Sequence, residues 1–400
     1  MESKNLRIIH VISSLNPANG GPMEALRLLS YMHIKYQTTM EIVCLDDPTE
    51  VYLKEYPVKV HALGKARFTY SFSLTLYFWL KKNHKNYDAV IINGLWQFHS
   101  LATLLAVNKK ITPYFIFPHG MLNPRLKELQ KLKFIKKRLY WLFFEYHVLR
   151  NAKAVLFTNL QEMVLASYCF KPYKYINPKY INYAADRSPY DPKTCRMSFY
   201  SNFPNTESKQ NILFLGRIHL QKGCDILIKA FAKISFNNPN LHLIMAGNCE
   251  PSLLLELKKI AKTLGISDRI EWIGPIYNEL KWGAFYASEL FILPSHGENF
   301  GIAIAEALGS GLPVLITDKV NIYKVIEKYN AGYIAAVNLA DIEEKLNIWL
   351  ISSEQERLIM SRQATLCYEE NFTPEEFYKS LIYTIKDGYC NRVIAPITTE

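Results

Sequence analysis

The chain has 400 residues, of which 49% are hydrophobic and 13% aromatic, and its formal net charge at neutral pH is +11. This length exceeds one typical core, so we expect two domains of about 200 residues each. The hydrophobic content excludes an intrinsically disordered chain. No apolar run reaches the roughly 18 residues that a membrane-spanning helix needs.

Seven scattered cysteines without C-x-x-C spacing argue against a disulfide framework or a zinc site and for a reducing compartment. The residues before the first predicted strand lack the apolar region of a signal peptide, so we expect a cytoplasmic protein. The positive charge leaves three kinds of partner open: nucleic acid, an anionic membrane surface and small anionic molecules.

The first half of the chain alternates continuous apolar strands with helical segments, which is typical of a parallel sheet covered on both faces. The predicted strands are 7–12, 41–45, 58–63, 88–92, 114–117 and 154–158, and the predicted helices are 23–32, 73–82, 100–108, 125–150 and one from 160. Residues 186–210 follow with three prolines and no periodicity, so they are predicted to be a linker.

The same alternation begins again after residue 210. Strands are predicted at 211–215, 241–246, 270–273, 290–293 and 313–317, and helices at 222–235, 252–264, 277–287, 301–309, 340–352, 354–369 and 374–385. The pattern predicts an α/β protein with two doubly wound, Rossmann-like domains, 1–185 and 211–372, that face each other across a cleft. Residues 373–400 are expected to form a C-terminal helix and tail that cross back to the first domain.

Two carboxylates, Glu298 and Glu306, bracket the start of the helix that follows strand 290–293. Ligands of open α/β sheets bind outside the carboxyl ends of strands, near helix N-termini. Free amides there suit phosphate and carboxylates suit sugar hydroxyls, so this stretch indicates a nucleotide sugar. The alternatives are an acid–base pair for glycoside hydrolysis and a solvated helix face.

Two cations, Arg217 and Lys222, flank the loop after the first strand of the second half. A pair of cations across a short loop can clamp a diphosphate, and a solvated surface role is the alternative. Gly20 and Gly21 follow the first strand and let the backbone approach a phosphate, or else form a structural turn. His119 lies in a Pro-His-Gly turn after strand 114–117, a better position for a ligand contact than most lone histidines have.

Taken in order, these motifs resemble those of the family 4 retaining glycosyltransferases, which are of the group 1 type and have the GT-B fold. The shared features are the Gly-Gly loop, the His-Gly turn, Gly-Arg-x4-Lys-Gly and Glu-x7-Glu, at 20–21, 119–120, 216–223 and 298–306. The likeness covers nearly the whole chain. The stretch 118–124 is also similar to a subgroup linked to bacterial cell-surface polysaccharide assembly.

The resemblance implies a role for each matching residue. Arg217 and Lys222 would bind the donor diphosphate and stabilise the leaving nucleoside diphosphate without a metal, while Glu298 and His119 would lie at the transferred sugar. The remaining donor contacts implied are Gly20 and Gly21 at the phosphates, Ile276 beside the base, the amides of Asn299, Phe300 and Gly301 at the sugar or distal phosphate, and Glu306 at the ribose hydroxyls. No cofactor is implied, because the nucleotide diphosphate-sugar is a co-substrate.

The sequence departs from the family at two places. Asn299 replaces a frequent glycine, so its side chain is expected to help select the sugar. The family's Pro-Asn-Gly-Val segment before the linker is Ile-Asn-Tyr-Ala at 181–184, which weakens any transfer of roles to residues 182–186.

Over half of the excess positive charge lies in the predicted helix 125–150, which contains eight Lys or Arg residues and only two Glu residues. At about 100° per residue, one apolar stripe is predicted to be core: Leu132, Ile135, Leu139, Leu142, Phe143 and Tyr146. The opposite face carries cations and aromatics, which suits an anionic membrane surface: Lys127, Lys131, Phe134, Lys137, Arg138 and Trp141. A charged solvent face is the alternative, and nucleic acid is disfavoured because no nucleic-acid motif accompanies the patch.

The sequence thus predicts a metal-independent, retaining glycosyltransferase of the hexosyltransferase type, peripheral on the inner face of the plasma membrane. Its acceptor would be a glycan or a lipid-linked molecule of cell-surface polysaccharide synthesis. A nucleotide-sugar hydrolase or epimerase on the same fold and a non-catalytic binding subunit are the alternatives.

Overall fold

The computed structural model describes residues 6–66, 68–124 and 131–387, without the side chains of 131–133. These residues form two compact units. The first unit runs up to Tyr183 and includes the residues from Pro374 onward, and the second is Ala184–Thr373. Among the described helices, none combines the length and the apolar character needed to span a bilayer.

The first unit contains a seven-stranded parallel sheet with the order β3-β2-β1-β4-β5-β6-β7. Its strands are β1 Arg7–Val11, β2 Thr39–Cys44, β3 Lys59–Ala62, β4 Ala89–Asn93, β5 Tyr114–Phe117, β6 Ala154–Phe157 and β7 Pro178–Tyr180. The central strands β4, β5 and β6 are buried along their whole length, as continuous apolar runs require when helices cover both faces. The order reverses between β1 and β4, which is where such sheets bind ligands.

Helices connect these strands. They are α1 Gly21–Lys35, α2 Leu74–Asn83, α3 Phe98–Ala106, α4 Lys131–Tyr140, a π-helical turn Trp141–Glu145, α5 Tyr146–Asn151 and α6 Leu160–Cys169, and the C-terminal helix Pro374–Asp387 also belongs to this unit. This last helix packs on α1, where the rings of Tyr36 and Tyr378 stack with centroids 4.6 Å apart.

The second unit has a six-stranded parallel sheet with the order β10-β9-β8-β11-β12-β13. Its strands are β8 Gln210–Leu215, β9 Leu241–Ala246, β10 Ile270–Gly274, β11 Leu290–Leu293, β12 Val314–Thr317 and β13 Gly332–Ala335. Its helices are α7 Pro192–Asn202, α8 Cys224–Ser235, α9 Pro251–Thr263, α10 Asn278–Tyr286, α11 Ile302–Gly309, α12 Tyr323–Tyr329, α13 Leu339–Ile351 and α14 Glu354–Asn371. The alternation predicted from the sequence is confirmed, and the C-terminal helix Pro374–Asp387 is α15.

The predicted linker 186–210 contains helix α7, so the structure differs from the sequence prediction here. A proline opens the helix at Pro192, where the missing N–H is no loss, and Asp191 caps it by accepting the Thr194 N–H at 2.8 Å. Cys195 is fully buried, and a Cβ on Gly283 of α10 would lie 2.4 Å from its carbonyl oxygen. The helices therefore pack closely, and the prolines that suggested a linker do not interrupt the fold.

The orientation of the basic helix is the reverse of the prediction. Four residues of the predicted core stripe are exposed: Ile135 by 57%, Leu139 by 53%, Leu142 by 41% and Phe143 by 68%. Trp141, predicted on the solvent face, is fully buried and donates its indole N–H to the Pro172 carbonyl at 3.0 Å. Tyr146 is buried as predicted, and the Leu132 side chain lies outside the described residues.

Aromatic packing explains the reversal. Phe134 stacks on Phe170 with ring centroids 5.0 Å apart, and Trp141 stacks on the same ring at 5.2 Å. Stacking on Phe170 therefore buries the face that carries Phe134 and Trp141. The π-helical turn after Tyr140 also shifts the helical phase, so one wheel at 100° per residue cannot describe the whole segment.

Candidate functional site

The loops after β8 and β11, neighbouring strands of the second sheet, approach each other closely. Gly223 lies in this contact with φ +71°, and a Cβ there would be 2.1 Å from the Pro294 carbonyl oxygen. Only glycine fits such a position. The contact brings the end of the Arg217–Lys222 loop against the start of the loop that carries Glu298.

Lys222 and Glu298 form an ion pair at this contact. Each side chain is about one-fifth exposed: 19% for Lys222 and 20% for Glu298. The Glu298 backbone is fixed on both sides, since its N–H donates to the Lys319 carbonyl at 3.2 Å and its carbonyl accepts the Asn321 N–H at 3.0 Å. Arg217 lies exposed two residues beyond β8. The sequence-predicted cation and carboxylate are therefore brought together.

Glu306, on α11, is almost wholly buried but paired. Its Oε1 is 2.8 Å from the Nζ of Lys281 on α10, and the same Nζ lies 4.4 Å from the centroid of the Trp282 ring. A buried carboxylate requires such a partner. Lys281 was not predicted from the sequence, because one lysine in a helix gives no signal that it faces a carboxylate on another helix.

The three residues after Glu298 lead into α11. The Asn299 side-chain oxygen accepts a hydrogen bond from the Asn321 amide at 3.1 Å, while Phe300 is buried with an edge-on contact to Phe372. Gly301 caps the helix at φ +78°. The Asn299 side chain is therefore held just before the helix N-terminus, where backbone N–H groups attract anions. Its own backbone N–H donates to Glu298 Oε1 at 3.1 Å. Ile276 lies partly exposed in the loop after β10.

In the first unit, Gly20 and Gly21 follow β1 at the turn that opens α1. Gly20 has φ +87° and ψ −145°, and a Cβ built there would meet no described atom within 4 Å. Glycine is thus needed for its backbone angles and not for packing. Because β1 and β5 are separated in the sheet only by β4, this turn and the His119 turn lie at the same carboxyl edge.

His119 has φ +49° and lies directly beyond β5, stacked on Phe117 with ring centroids 5.3 Å apart. Its Nε2 is 3.4 Å from the side-chain oxygen of Asn93, and its Nδ1 is 3.5 Å from the Tyr183 hydroxyl. Burial lowers the pKa of His119 to about 3, so the ring is neutral at pH 7. Both contacts are near the outer limit for hydrogen bonds, which leaves room for a ligand hydroxyl to compete.

Two residues that support this turn were missed in the sequence. Asn93 ends β4 and donates from its amide to His10 Nδ1 at 3.2 Å and to the Ile91 carbonyl at 3.3 Å, so its oxygen is left for His119. Glu162 of α6 accepts the Gly120 N–H at 2.6 Å. The place of Asn93 at a strand's carboxyl end was a usable signal, whereas the Asn159–Glu162 spacing indicated only a helix cap.

The residues predicted for a membrane surface do not form one face. Trp141 is buried, Phe134 packs on Phe170, and the Nζ of Lys137 lies 4.9 Å from the Trp96 ring centroid. Arg138 is exposed as predicted. Lys127 and the side chain of Lys131 lie outside the described residues.

Two family descriptions match the chain in succession. "Glycosyl transferase 4-like domain" matches residues 37–166 and "Glycosyl transferases group 1" matches residues 200–366. Among curated relatives, mannosylfructose-phosphate synthase of Agrobacterium fabrum is 33% identical over 121 residues, which are 29% of this chain and 27% of the relative. The lipopolysaccharide core biosynthesis mannosyltransferase LpsB of Rhizobium meliloti is 32% identical over 114 residues, 28% of this chain and 32% of that protein.

These sequence matches span only about a quarter to a third of the curated relatives' own length, but solved structures match almost end to end. The Anabaena Alr3699/HepE structure in complex with UDP and glucose has a TM-score of 0.75 at 17% identity, covering 96% of this chain and 100% of that one. A Rickettsia africae glycosyltransferase has a TM-score of 0.76 at 15% identity, covering 98% and 100%. With the two family matches and the motif order, the chain belongs to the group 1 glycosyltransferases with the GT-B fold.

Proposed function

We propose that the chain is a retaining glycosyltransferase that moves a sugar from a nucleotide diphosphate-sugar to a glycan or lipid-linked acceptor in cell-surface polysaccharide synthesis. The observation that carries the proposal is the Lys222–Glu298 ion pair at the end of β8 and β11, with Arg217 on the same loop and Glu306 on the following helix. Cations for a diphosphate and carboxylates for hydroxyls are thus built into one edge of one sheet.

In this proposal the donor is held mainly by the second unit. Arg217 and Lys222 bind the diphosphate and stabilise the negative charge that develops on the leaving nucleoside diphosphate. Glu298 orients the Lys222 ammonium and accepts a hydrogen bond from a hydroxyl of the transferred sugar. Glu306 accepts hydrogen bonds from the ribose hydroxyls, and Lys281 holds the Glu306 carboxylate in place. Ile276 lies beside the base.

In this proposal the first unit supplies the remaining contacts to the donor and binds the acceptor. The Gly20–Gly21 turn approaches the phosphates, and His119 lies beside the transferred sugar. The acceptor hydroxyl attacks on the face from which the diphosphate leaves, and a diphosphate oxygen takes its proton, so the anomeric configuration is retained. Since Arg217 and Lys222 provide the positive charge, we expect activity to survive EDTA.

A panel of UDP-, GDP- and ADP-sugars tests the proposal by thermal stabilisation and by nucleoside diphosphate release with and without glycan or lipid-linked acceptors. We expect one donor to raise the melting temperature, and release to require an acceptor. Glu306→Ala should weaken binding of the nucleoside diphosphate about tenfold or more, because the ribose loses a charged hydrogen-bond acceptor. Glu327→Ala, at an exposed glutamate on α12, serves as the control for removal of a helical carboxylate outside the site.

Other outcomes would favour the competing functions. Release without any acceptor would favour a nucleotide-sugar hydrolase, and change in the sugar of the recovered nucleotide sugar would favour an epimerase. The second alternative has a specific structural parallel, because a putative UDP-N-acetylglucosamine 2-epimerase from Listeria monocytogenes matches 96% of the chain with a TM-score of 0.62 at 13% identity. Stabilisation without turnover would favour a binding subunit.

We also propose that the first unit rests on an anionic membrane surface, through a different face from the one predicted in the sequence. The exposed side chains of Ile135, Leu139, Leu142 and Phe143 form the apolar face of the basic segment. Lys136 and Arg138 lie exposed beside them. Exposed apolar side chains flanked by cations suit the boundary between lipid headgroups and acyl chains.

Neighbouring elements extend this face. The hydroxyls of Tyr70 and Tyr140 are 2.6 Å apart, so the loop before α2 lies against α4. That loop and α2 add Phe68, Leu74 and Phe78, which are 83%, 55% and 60% exposed. Exposed apolar side chains that gather on one side of a protein often mark a surface that binds a partner or a membrane.

Co-sedimentation with phosphatidylglycerol-containing vesicles tests the membrane proposal. We expect binding that weakens with salt and is lost when Ile135, Leu139 and Phe143 are replaced by serine. Serine at Leu255 and Ile351, which are 71% and 84% exposed on the second unit, is the control and should leave binding unchanged. Equal binding by both variants would refute the assignment of this face.

A further inference from the structure

The turn that carries His119 has an unusual backbone. His119 and Gly120 have φ values of +49° and +78°, so two consecutive residues adopt left-handed angles. For a histidine this conformation is unfavourable by about 1–2 kcal/mol, and it persists only where the surroundings hold it. The position of the imidazole therefore depends on whatever fixes the Gly120 peptide.

Glu162 is the group that holds this peptide. It lies in the first turn of α6 and is only 3% exposed. Its Oε1 accepts the Gly120 N–H at 2.6 Å, while its Oε2 accepts the Thr158 N–H at 2.9 Å and the Thr158 hydroxyl at 2.7 Å. One carboxylate thus joins the ends of β5 and β6, adjacent strands of the sheet.

The two carboxylate oxygens of Glu162 accept from different donors, and a side-chain amide cannot reproduce this arrangement. Both oxygens of a carboxylate accept, and here both face N–H or O–H donors. A glutamine would place its NH₂ group against either the Gly120 N–H or the Thr158 donors. Because the site is buried, the unmatched donor would have no water to satisfy it. The bond to Gly120 is also charge-assisted and therefore stronger than a neutral one.

We infer that Glu162 is a positioning residue that sets the His119–Gly120 turn, and through it the contact between His119 and the transferred sugar. This inference rests on the proposed role of His119 in donor binding. Glu162 acts through the turn and makes no substrate contact. Its loss should affect the sugar half of the donor and leave the nucleotide half, which Arg217, Lys222 and Glu306 hold, unaffected.

The test compares Glu162→Gln with Thr158→Val in the full chain. The first variant disturbs the bond to Gly120. The second removes only the Thr158 hydroxyl, keeps a β-branched side chain and leaves the Gly120 bond in place. Four quantities are measured in each variant: residue-resolved hydrogen exchange of the Gly120 amide, the affinity for the nucleoside diphosphate of the panel donor with the highest turnover, and kcat and KM for that donor.

We expect Glu162→Gln to speed Gly120 exchange at least tenfold and to lower kcat/KM about 10- to 100-fold, since small displacements of a positioned group have effects of this size. Affinity for the nucleoside diphosphate should stay within about twofold. Thr158→Val should leave Gly120 exchange and kcat/KM near the unsubstituted values.

Two results would overturn the inference: unchanged Gly120 exchange in Glu162→Gln, or faster exchange with unchanged kcat/KM. A general loss of structure is recognised because it would weaken nucleoside diphosphate binding in parallel, and that result also counts against a positioning role. If the unsubstituted chain turns over no donor, the proposed function fails separately, and unchanged Gly120 exchange would still refute the claim that Glu162 sets the turn.

Discussion

At the residue scale, the second unit's site depends on a glycine that no other residue can replace. Gly223 combines φ +71° with a carbonyl oxygen only 2.1 Å from where a Cβ would lie. Gly265 has nearly the same angle, φ +70°, but a Cβ there would meet no described atom within 4 Å. The pair therefore separates backbone strain from steric overlap within one protein.

We predict that Gly265→Ala lowers the free energy of unfolding by about 1 kcal/mol, from the backbone angle alone. Gly223→Ala should lower it by about 3 kcal/mol or more, because the loops after β8 and β11 must also separate. That separation should weaken binding of the donor's nucleoside diphosphate through Lys222. Urea titration and calorimetry check both effects, and equal destabilisation by the two variants would show that the loop contact is not tight.

Asn299 gives a second prediction at this scale. Its side-chain oxygen is fixed by the Asn321 amide at 3.1 Å, at a position where the family often has glycine. Asn299→Gly should lower kcat/KM for the preferred donor about tenfold through loss of a positioned polar group, with nucleoside diphosphate affinity unchanged. Asn321→Ala should shift activity in the same direction but less. An unchanged ranking of donor sugars would remove Asn299 from sugar selection.

At the scale of elements, the basic helix shows what a periodic pattern leaves open. Apolar residues occur on both faces of the segment, so the pattern predicts an amphipathic helix but does not indicate which face is buried. Phe134 and Trp141 find the ring of Phe170 in the loop after α6, a partner 36 and 29 positions further along the chain. Contacts between distant segments decide which face of such a helix is buried, and a local sequence pattern carries no information about those contacts.

This orientation predicts unequal effects on stability. Trp141→Ala should lower the free energy of unfolding by about 3–5 kcal/mol, because it empties a fully buried site and removes the hydrogen bond to the Pro172 carbonyl. Leu139→Ser, at a side chain 53% exposed, should change it by less than about 0.5 kcal/mol. Urea unfolding compares the two. A larger effect at Leu139 would restore the orientation predicted from the sequence.

Eleven of the thirteen described strands were predicted, because buried parallel strands are continuous apolar runs and their carboxyl ends mark the ligand edge. The edge strands β7 and β13 were not predicted, since neither is buried along its length. Lys222, Glu298 and Glu306 follow from that rule. Helix α7 was missed because its opening proline was interpreted as a break. Glu162 and Lys281 were missed because each acts on a group from another segment, Gly120 and Glu306, and pairing across the fold leaves no local spacing.

At the scale of the whole molecule, groups with shifted pKa values are concentrated in the first unit. Burial lowers the pKa of five histidines there, to about 4 for His33 and His99 and about 3 for His119. The other two are His10 and His84. In the second unit His242 is shifted in the same direction. One carboxyl of the first unit, Glu145, is shifted the opposite way, its pKa raised by burial to about 8.

The five histidines and Glu145 together predict a stability maximum for the first unit near pH 7, where the opposing pH dependences cancel. Below the unfolded histidine pKa of about 6.5, protons bind preferentially to the unfolded chain, so stability falls as pH drops toward 4. Each fully coupled histidine contributes at most about 1.4 kcal/mol per pH unit. Glu145 acts in reverse: above its unfolded pKa of about 4.5 the unfolded chain loses this proton first, so the Glu145 contribution to stability falls until about pH 8. The histidines outweigh it below about pH 7, and its decline dominates above that pH.

Hydrogen exchange of β4 and β5, compared with β8 and β11, measures the two units separately between pH 5 and 8.5. We expect protection in the first unit to fall on both sides of the maximum and that in the second unit to change less on the acid side. The glutamine in Glu145→Gln is neutral at every pH, so this variant should lose the decline above about pH 7 and keep the one below it. A decline at high pH that persists in Glu145→Gln would show that another group carries it.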